Sequence, residues 1–417
     1  MPDQDWLGQG FSHIWLPYAQ MKNMPMPVPI VGAEGARLYC RDGRVLIDGV
    51  SSWWTACHGY NHPALRRALF HQGGHLPHVM LGGLANEPAY RLAGRLAGLT
   101  GLDRVFFSES GSVAVEIALK IALQYWRNRG HGQRTRFLAF ADGYHGDTLG
   151  TMAVSDPVAL HGAFAATIPP QFSTPVPRLE SERRQYSALL DAHRHELAAV
   201  IVEPLVQGAG GMKFHDGETL RFIADQARAR DLLFIADEIM TGFGRTGTMF
   251  ATAEAGLVPD IMTLSKALTG GTLPLAATLA SAKVFAAFHS DAEEDALMHG
   301  PTYSGNALAC AVALAALDLF DDEPRLAQVA RIADQLRIGL APCATHPWVR
   351  DVRVKGALGV VELDRPSAFL RPAFLARNTW IRPFGSVIYL APPFVIAESE
   401  LTRLTDSVSA VLAAHGG

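Results

Sequence analysis

Residues 232–271 read LLFIADEIMTGFGRTGTMFATAEAGLVPDIMTLSKALTGG, and two apolar runs within them decide the fold. The first, residues 232–236, stops abruptly at Asp237-Glu238; the second, residues 261–264, stops at Ser265-Lys266. Each has the length and bounded shape of a strand buried on both faces. In open α/β sheets the ligand crevice lies at the carboxyl ends of the strands, which points Asp237 and Lys266 into one crevice.

An Asp and a Lys so placed can act together. A lysine amine forms Schiff bases with carbonyls, and a buried carboxylate can keep a pyridine nitrogen protonated so that the ring withdraws electrons. Those are the protein's contributions to pyridoxal phosphate chemistry. An ion pair at a sheet edge is the plainer alternative for any single Asp/Lys couple, so the rest of the chain must decide.

Working outward, further strands end in the same way. RVFFSESGSVAVEIALKIALQYW (104–126) reads as strand, turn and helix. Ser110-Gly111-Ser112 falls at the helix N-terminus, where free N–H groups and the dipole favour an anion. Ser112 is equally well explained as an N-cap, and the two roles are compatible. RFLAFA (136–141) runs into DGYHGDTLG, placing Tyr144 and His145 at a strand's carboxyl end. Tyr144 there either stacks on a planar cofactor or packs its loop. AAVIVEPLVQGAGG (198–211) ends its strand at Glu203, another carboxylate at the same rim. HGPTYSGNALACAVALAALDLF (299–320) sets Gly300, Pro301 and Thr302 ahead of a helix expected from about Ser304, as a phosphate site or as a simple loop and cap. Several strand ends converging on one rim make a stronger signal than any one motif.

GFGRTG (242–247) spells G-x-G-x-x-G. A dinucleotide fingerprint follows its strand directly and opens a helix. Residues 237–241 intervene here, so we read a glycine-rich loop carrying Arg245 beside the crevice. A nicotinamide dehydrogenase built on this loop would leave Lys266 without a role.

Composition fits a compact α/β enzyme: 417 residues, 49% apolar and 18% charged. A net charge of −4 gives no reason to expect nucleic acid or an anionic membrane as partner. The cysteines, Cys40, Cys57, Cys310 and Cys343, form no C-x-x-C and read as buried thiols of a reducing compartment. The opening MPDQDWLGQGF has no signal pattern, and the longest apolar helix candidate, residues 307–317, is too short to span a bilayer, so we expect a cytoplasmic protein. His71, His75 and His78 have nearly metal-like spacing. Gly73-Gly74 and Pro77 break any helix that would align them, so we expect no metal.

Three units are expected: an N-terminal segment (1–48) joining the smaller domain, a large domain (49–318), and a C-terminal α+β domain (319–417). RLYCRDGRVLID (37–48) reads as a hairpin around Asp42-Gly43. Tyr18, on a loop fixed by Pro17, either fills the core or walls a pocket. Trp53 and Trp54 cannot share one side of a strand, so one is expected in the core and the other along a cavity. Near the C-terminus, TWIRPFGSVIYLAPPF (379–394) reads as strand, turn, strand. It holds Arg382 among Trp380, Phe384 and Tyr389. An arginine in that setting needs an anionic partner, either a substrate carboxylate or an internal Asp or Glu.

DEIMTGFGRTG followed by LSKALTGG resembles the signature of the class III, fold-type I, pyridoxal-phosphate-dependent aminotransferases, and the resemblance runs from about Trp15 to Phe394. Narrower motifs, SSWW-x-x-x-HGYNHP, SGSVAVE, YHGDT-x-G, EP-x-VQGAGGM and RPFGS-x-IYL-x-PPF, resemble the biotin-pathway branch, which aminates 8-amino-7-oxononanoate with S-adenosylmethionine as donor. The resemblance implies a large domain with a mainly parallel seven-stranded sheet, a smaller α+β domain and a homodimer. It implies that Lys266 joins the cofactor and moves the proton, that Asp237 pairs with the pyridine nitrogen and that Tyr144 covers the ring. Gly111 and Ser112 would take the phosphate from one subunit, and Pro301 and Thr302, with Gly300 nearby, from the other. Tyr18, Trp53 and Trp54 would wall the substrate, Arg382 would take its carboxylate, and Asp147 and Arg245 would stand further out. Leu16-Pro17-Tyr18-Ala19 departs from the commoner H-P-Y pattern, and Ser108-Glu109 stands where an Asp is commoner. Lysine as donor, or an ω-amino acid or diamine as substrate, is the alternative within the class.

Overall fold

The computed structural model describes residues 5–156 and 161–415; the outermost residues of the first and third expected units, 1–4 and 416–417, lie outside them. The main sheet has strands β1 (Arg104–Ser108), β2 (Arg136–Phe140), β3 (Phe172–Thr174), β4 (Leu197–Val202), β5 (Leu233–Asp237), β6 (Ile261–Leu264) and β7 (Ala276–Ala280). Their spatial order is β1-β7-β6-β5-β4-β2-β3, and only β7 runs antiparallel to its neighbours. The central strands are legible because they carry almost nothing polar. All of LAAVIV in β4 is buried, as are LFIAD and IMTL in β5 and β6. Burying each Val, Ile or Leu contributes about 1.5–3 kcal/mol.

Helices cover both faces. Gly111–Asn128 lies on the sheet and is tied to it by Trp126 Nε1, which donates to Ala198 O at 2.8 Å. Gly217–Arg228 is capped by Asp216, which accepts from the Thr219 N–H at 2.7 Å. The alanine-rich helix starts at Ala307 rather than near Ser304, because Asn306 Oδ1 accepts from the Ala309 N–H and caps it there. No helix among the described residues is long and apolar enough to cross a membrane.

Three smaller sheets accompany this layer, the least of them pairing Val206–Gln207 with Lys213–Phe214. Val349–Lys355, Leu358–Leu363 and Val387–Leu390 form an antiparallel three-stranded sheet. Ile30–Glu34, Arg37–Cys40 and Val45–Asp48 form an antiparallel meander, and Thr379–Trp380 adds to it in parallel beside Val45–Asp48. The expected strand-turn-strand of residues 379–394 is therefore no hairpin: its halves join different sheets. Pro383, without an N–H to offer a ladder, lies between them, and its carbonyl is held by Arg371 Nη2 at 3.0 Å.

SSWW (51–54) is not a strand either. It is a single helical turn in which Ser51, Ser52, Trp53 and Trp54 all have positive φ.

Candidate active site

The crevice forms where β4, β5 and β6 end side by side. Parallel register pairs Ala236 with Val202 and Asp237 with Thr263, so Glu203, Asp237 and Lys266 emerge at neighbouring points on one rim. With Tyr144, His145 and residues 110–112 they line one cleft, a concave site where several polar groups converge.

Asp237 is buried and held from three directions. Its Oδ1 accepts from Thr263 Oγ1 (3.0 Å) and the Ile239 N–H (3.2 Å), and its Oδ2 from His145 Nδ1 at 2.6 Å. Burial by itself would depress the His145 pKa, but the hydrogen bond and charge of Asp237, with Glu203 behind it, leave it raised. Glu203 accepts from the Tyr144 N–H (3.0 Å) and the Gly208 N–H (2.9 Å). Burial pushes its carboxyl up to about 7, the charge of Asp237 adding to the effect while His145 and the two N–H groups oppose it. Two carboxyls and an imidazole thus form a buried acid–base cluster.

Lys266 opens a single 3-10 turn, Lys266–Thr269, with left-handed backbone at φ +46°. Such a conformation in a non-glycine residue costs about 1–3 kcal/mol and persists only where the surroundings impose it. Ser265 Oγ donates to Leu275 O at 2.8 Å and anchors the chain just before it. Lys266 Nζ lies 4.2 Å from the centre of the Trp54 ring. Burial lowers its amine to about 8, against the charges of Asp237 and Glu203, so a useful fraction is neutral and nucleophilic near neutral pH.

The helix Gly111–Asn128 aims its N-terminus at the same cleft. Ser110, not Ser112, is the N-cap: its Oγ accepts from the Val113 N–H at 3.3 Å. Gly111 and Ser112 then occupy the first turn, whose N–H groups have no intrahelical acceptor. The loop after β2 approaches so closely that a Cβ on Gly146, at φ +132°, would stand 2.2 Å from Ser112 Oγ.

Pyridoxal phosphate fits these residues. An amine faces the cleft for its carbonyl, a buried carboxylate is fixed for its ring nitrogen, and a helix N-terminus with a side-chain-free approach is open to its phosphate.

The other expected residues fall into two groups. Near the cleft, Tyr144 is half-buried with its ring stacked on His161, and Tyr18 OH donates to Asp147 Oδ1 at 2.6 Å and lies 3.4 Å from Tyr144 OH. Burial and the hydrogen bond to Asp147 push the Tyr18 phenol up to about 12. Trp54 lines the cleft although it is the buried tryptophan (7% exposed), whereas Trp53 (39%) stands outside under the Arg382 guanidinium, 4.7 Å from its ring centre. The expectation that the core tryptophan and the cavity tryptophan are different residues is thus corrected. No acidic side chain pairs with Arg382 among the described residues. Away from the cleft, Gly300, Pro301 and Thr302 lie at the protein surface and do not line their own chain's pocket. Arg245 is buried behind the rim, where Nη1 donates to Pro392 O at 2.9 Å and the guanidinium stacks on Phe394.

His145 and Thr263 carry weight that the sequence reading did not assign. A polar residue inside the apolar IMTL strand was the available signal for Thr263, whose side chain turns out to face Asp237. His145 was visible only as a neighbour of Tyr144.

Comparison with known proteins agrees with this geometry. The Aminotransferase class-III family profile matches residues 18–412. The adenosylmethionine-8-amino-7-oxononanoate aminotransferase of Mycobacterium leprae is 45% identical over 411 residues, 95% of this chain and 94% of that one. Among solved structures, the adenosylmethionine-8-amino-7-oxononanoate aminotransferase of Methanocaldococcus jannaschii superposes with a TM-score of 0.94 at 33% identity, covering 98% of each chain. A PLP-bound amine transaminase from an uncultivated Pseudomonas species superposes with a TM-score of 0.89 at 31% identity, covering 97% of this chain and 99% of that one.

Proposed function

The chain belongs to the class III aminotransferases, and from that premise we propose that it carries the amino group of S-adenosylmethionine to 8-amino-7-oxononanoate, giving 7,8-diaminononanoate for biotin synthesis. Its cofactor is pyridoxal 5′-phosphate. Relatives of that activity match nearly the whole chain. The observation that carries the reading is the placing of Lys266, Asp237 and a free helix N-terminus around one cleft.

When bound, the cofactor supplies an electron sink that makes the C–H bond beside the substrate amine acidic. Lys266 Nζ is the group that takes that proton and returns it, and its pKa of about 8 suits it to both directions near neutral pH. Asp237, fixed by Thr263, Ile239 and His145, holds a proton on the ring nitrogen. The N–H groups of Gly111 and Ser112 bind the phosphate, and Tyr144 covers the ring. Trp54 walls the substrate within the cleft, Trp53 and Tyr18 wall it further out, and Arg382 pairs with the keto-acid carboxylate. Stacked on Trp53 and free of any acidic partner among the described residues, its guanidinium is available for that pairing.

The working unit is a cytoplasmic homodimer in which Gly300, Pro301 and Thr302 complete the partner's phosphate site. Two features support it: these residues stand away from their own pocket, and all four cysteines are buried free thiols. Residues 49–318 form the large domain, and 1–48 join 319–417 in the smaller one, a division supported by the pairing of Val45–Asp48 with Thr379–Trp380.

The test is the visible absorption of the purified protein, titrated first with S-adenosylmethionine and then with 8-amino-7-oxononanoate. A band that bleaches with the first and returns with the second is expected. Bleaching by lysine alone would change the donor, and a colourless protein that takes up no pyridoxal phosphate would overturn the reading.

A further inference from the structure

Ser51, Ser52, Trp53 and Trp54 are consecutive non-glycine residues with φ of +50°, +46°, +59° and +71°. Left-handed backbone costs such residues roughly 1–2 kcal/mol each and normally occurs singly, so something must impose this turn. The sequence offers no glycine or asparagine within it to relieve the strain.

The restraint lies just upstream. Asp48, the last residue of the strand Val45–Asp48, is fully buried. Its Oδ1 accepts from the N–H groups of Val50 (2.8 Å) and Ser51 (3.1 Å), and its Oδ2 accepts from the Ser52 N–H (3.2 Å) and from Tyr60 OH (2.5 Å). Tyr60 OH also lies 2.6 Å from Ser52 Oγ, and Ser51 Oγ donates to Ala391 O at 2.7 Å. Successive backbone N–H groups curled around one acceptor form a nest; here the acceptor is the chain's own carboxyl, whose pKa burial raises against the pull of Tyr60 OH and the three N–H groups. What the turn delivers is the pair of tryptophans: Trp54 against Lys266 Nζ at 4.2 Å, and Trp53 under the Arg382 guanidinium at 4.7 Å.

We propose that Asp48 is a positioning residue for amino transfer: its carboxylate, clamped by Tyr60 OH, holds the left-handed turn that sets Trp54 beside Lys266 and Trp53 beneath Arg382. It acts through the tryptophans and touches no substrate. The inference rests on the assignment of Trp53, Trp54 and Arg382 to the substrate wall. A wall set by a strained turn makes substrate affinity depend on a carboxylate outside the cleft, while the cofactor contacts at Gly111, Ser112 and Asp237 do not depend on it.

The experiment compares Asp48→Asn and Tyr60→Phe holoenzymes with the parent, following kcat, both KM values, the visible band and the melting temperature. Asp48→Asn keeps the side chain's shape but turns an amide N–H₂ toward donors. Tyr60→Phe removes only the clamp, and so covers the case in which Asp48→Asn does not fold. KM for 8-amino-7-oxononanoate is expected to rise about tenfold or more in Asp48→Asn, the factor carried by one buried hydrogen-bonding group left unsatisfied, and less in Tyr60→Phe, with the visible band unchanged. A lowered melting temperature with parental KM values in both variants would reduce Asp48 to a structural residue and overturn the proposal. Trp53→Ala is run in parallel. A raised keto-acid KM there, with parental values in both other variants, overturns the role of Asp48 and leaves the wall standing. Parental values in all three overturn the wall itself.

Discussion

Glu203 and Asp237 stand at the ends of adjacent parallel strands, so their carboxyls cannot avoid each other, and burial, with the charge of Asp237 adding to it, raises the pKa of Glu203. The folded value of Glu203, about 7, lies above its ordinary 4.5, so the folded protein holds the proton more tightly than the unfolded chain. The stability this provides is full below the unfolded value and is lost as pH rises through the folded one. Glutamine cannot titrate. Denaturation of cofactor-free protein should therefore show the advantage of wild type over Glu203→Gln shrinking by on the order of 2–3 kcal/mol between about pH 5 and about pH 8. A difference that stays constant across that range would mean Glu203 is ionised throughout. Lys266 is the other residue whose environment defines its work. Lys266→Ala should lose turnover by about 10²-fold at least, the contribution of a positioned acid–base group, with unchanged circular dichroism. Retained amino transfer in that variant would remove the lysine from the mechanism.

At the scale of elements, the site depends on where a strand end meets a helix start. The loop after β2 passes over the first turn of Gly111–Asn128 with room for hydrogen but not for a methyl group at Gly146. That position also has φ +132°, a region essentially closed to other residues. Gly146→Ala should push Ser112 out of place and weaken pyridoxal phosphate binding about tenfold or more, read by titrating cofactor into the resolved apoprotein. Unchanged affinity would show that the helix end does not hold the phosphate. The elements also mark where periodicity misleads. SSWW has no strand alternation because Asp48 curls it into a left-handed turn, and residues 379–394 are split between two sheets around Pro383. In both cases a hydrogen-bonding partner outside the segment overrides the local pattern.

For the whole molecule, the surface placing of Gly300, Pro301 and Thr302 bears on how many chains make one site. If each cleft combines Lys266 of one subunit with Thr302 of the other, two inactive variants can repair each other. Lys266→Ala mixed with Thr302→Glu, which sets a carboxylate against the phosphate, should recover about a quarter of wild-type activity after random subunit exchange, since half the dimers are mixed and each has one intact site. No recovery in demonstrated mixed dimers would place both residues in the same chain's site. The sequence by itself determined the parallel sheet and the rim, because strands buried on both faces must be apolar throughout, and Asp237, Glu203 and Lys266 stand out where those runs stop. Ser110-Gly111-Ser112 was legible for a similar reason: a helix start is announced by its cap, although which serine caps depended on where the first turn closed. The tertiary structure alone decided that His145 and Thr263 grip Asp237, that Trp54 rather than Trp53 lines the cleft, and that Arg382 rests on Trp53. Those contacts join segments far apart in the chain, and two of them rest on left-handed backbone at residues 51–54 that hydrogen bonds from outside the turn hold.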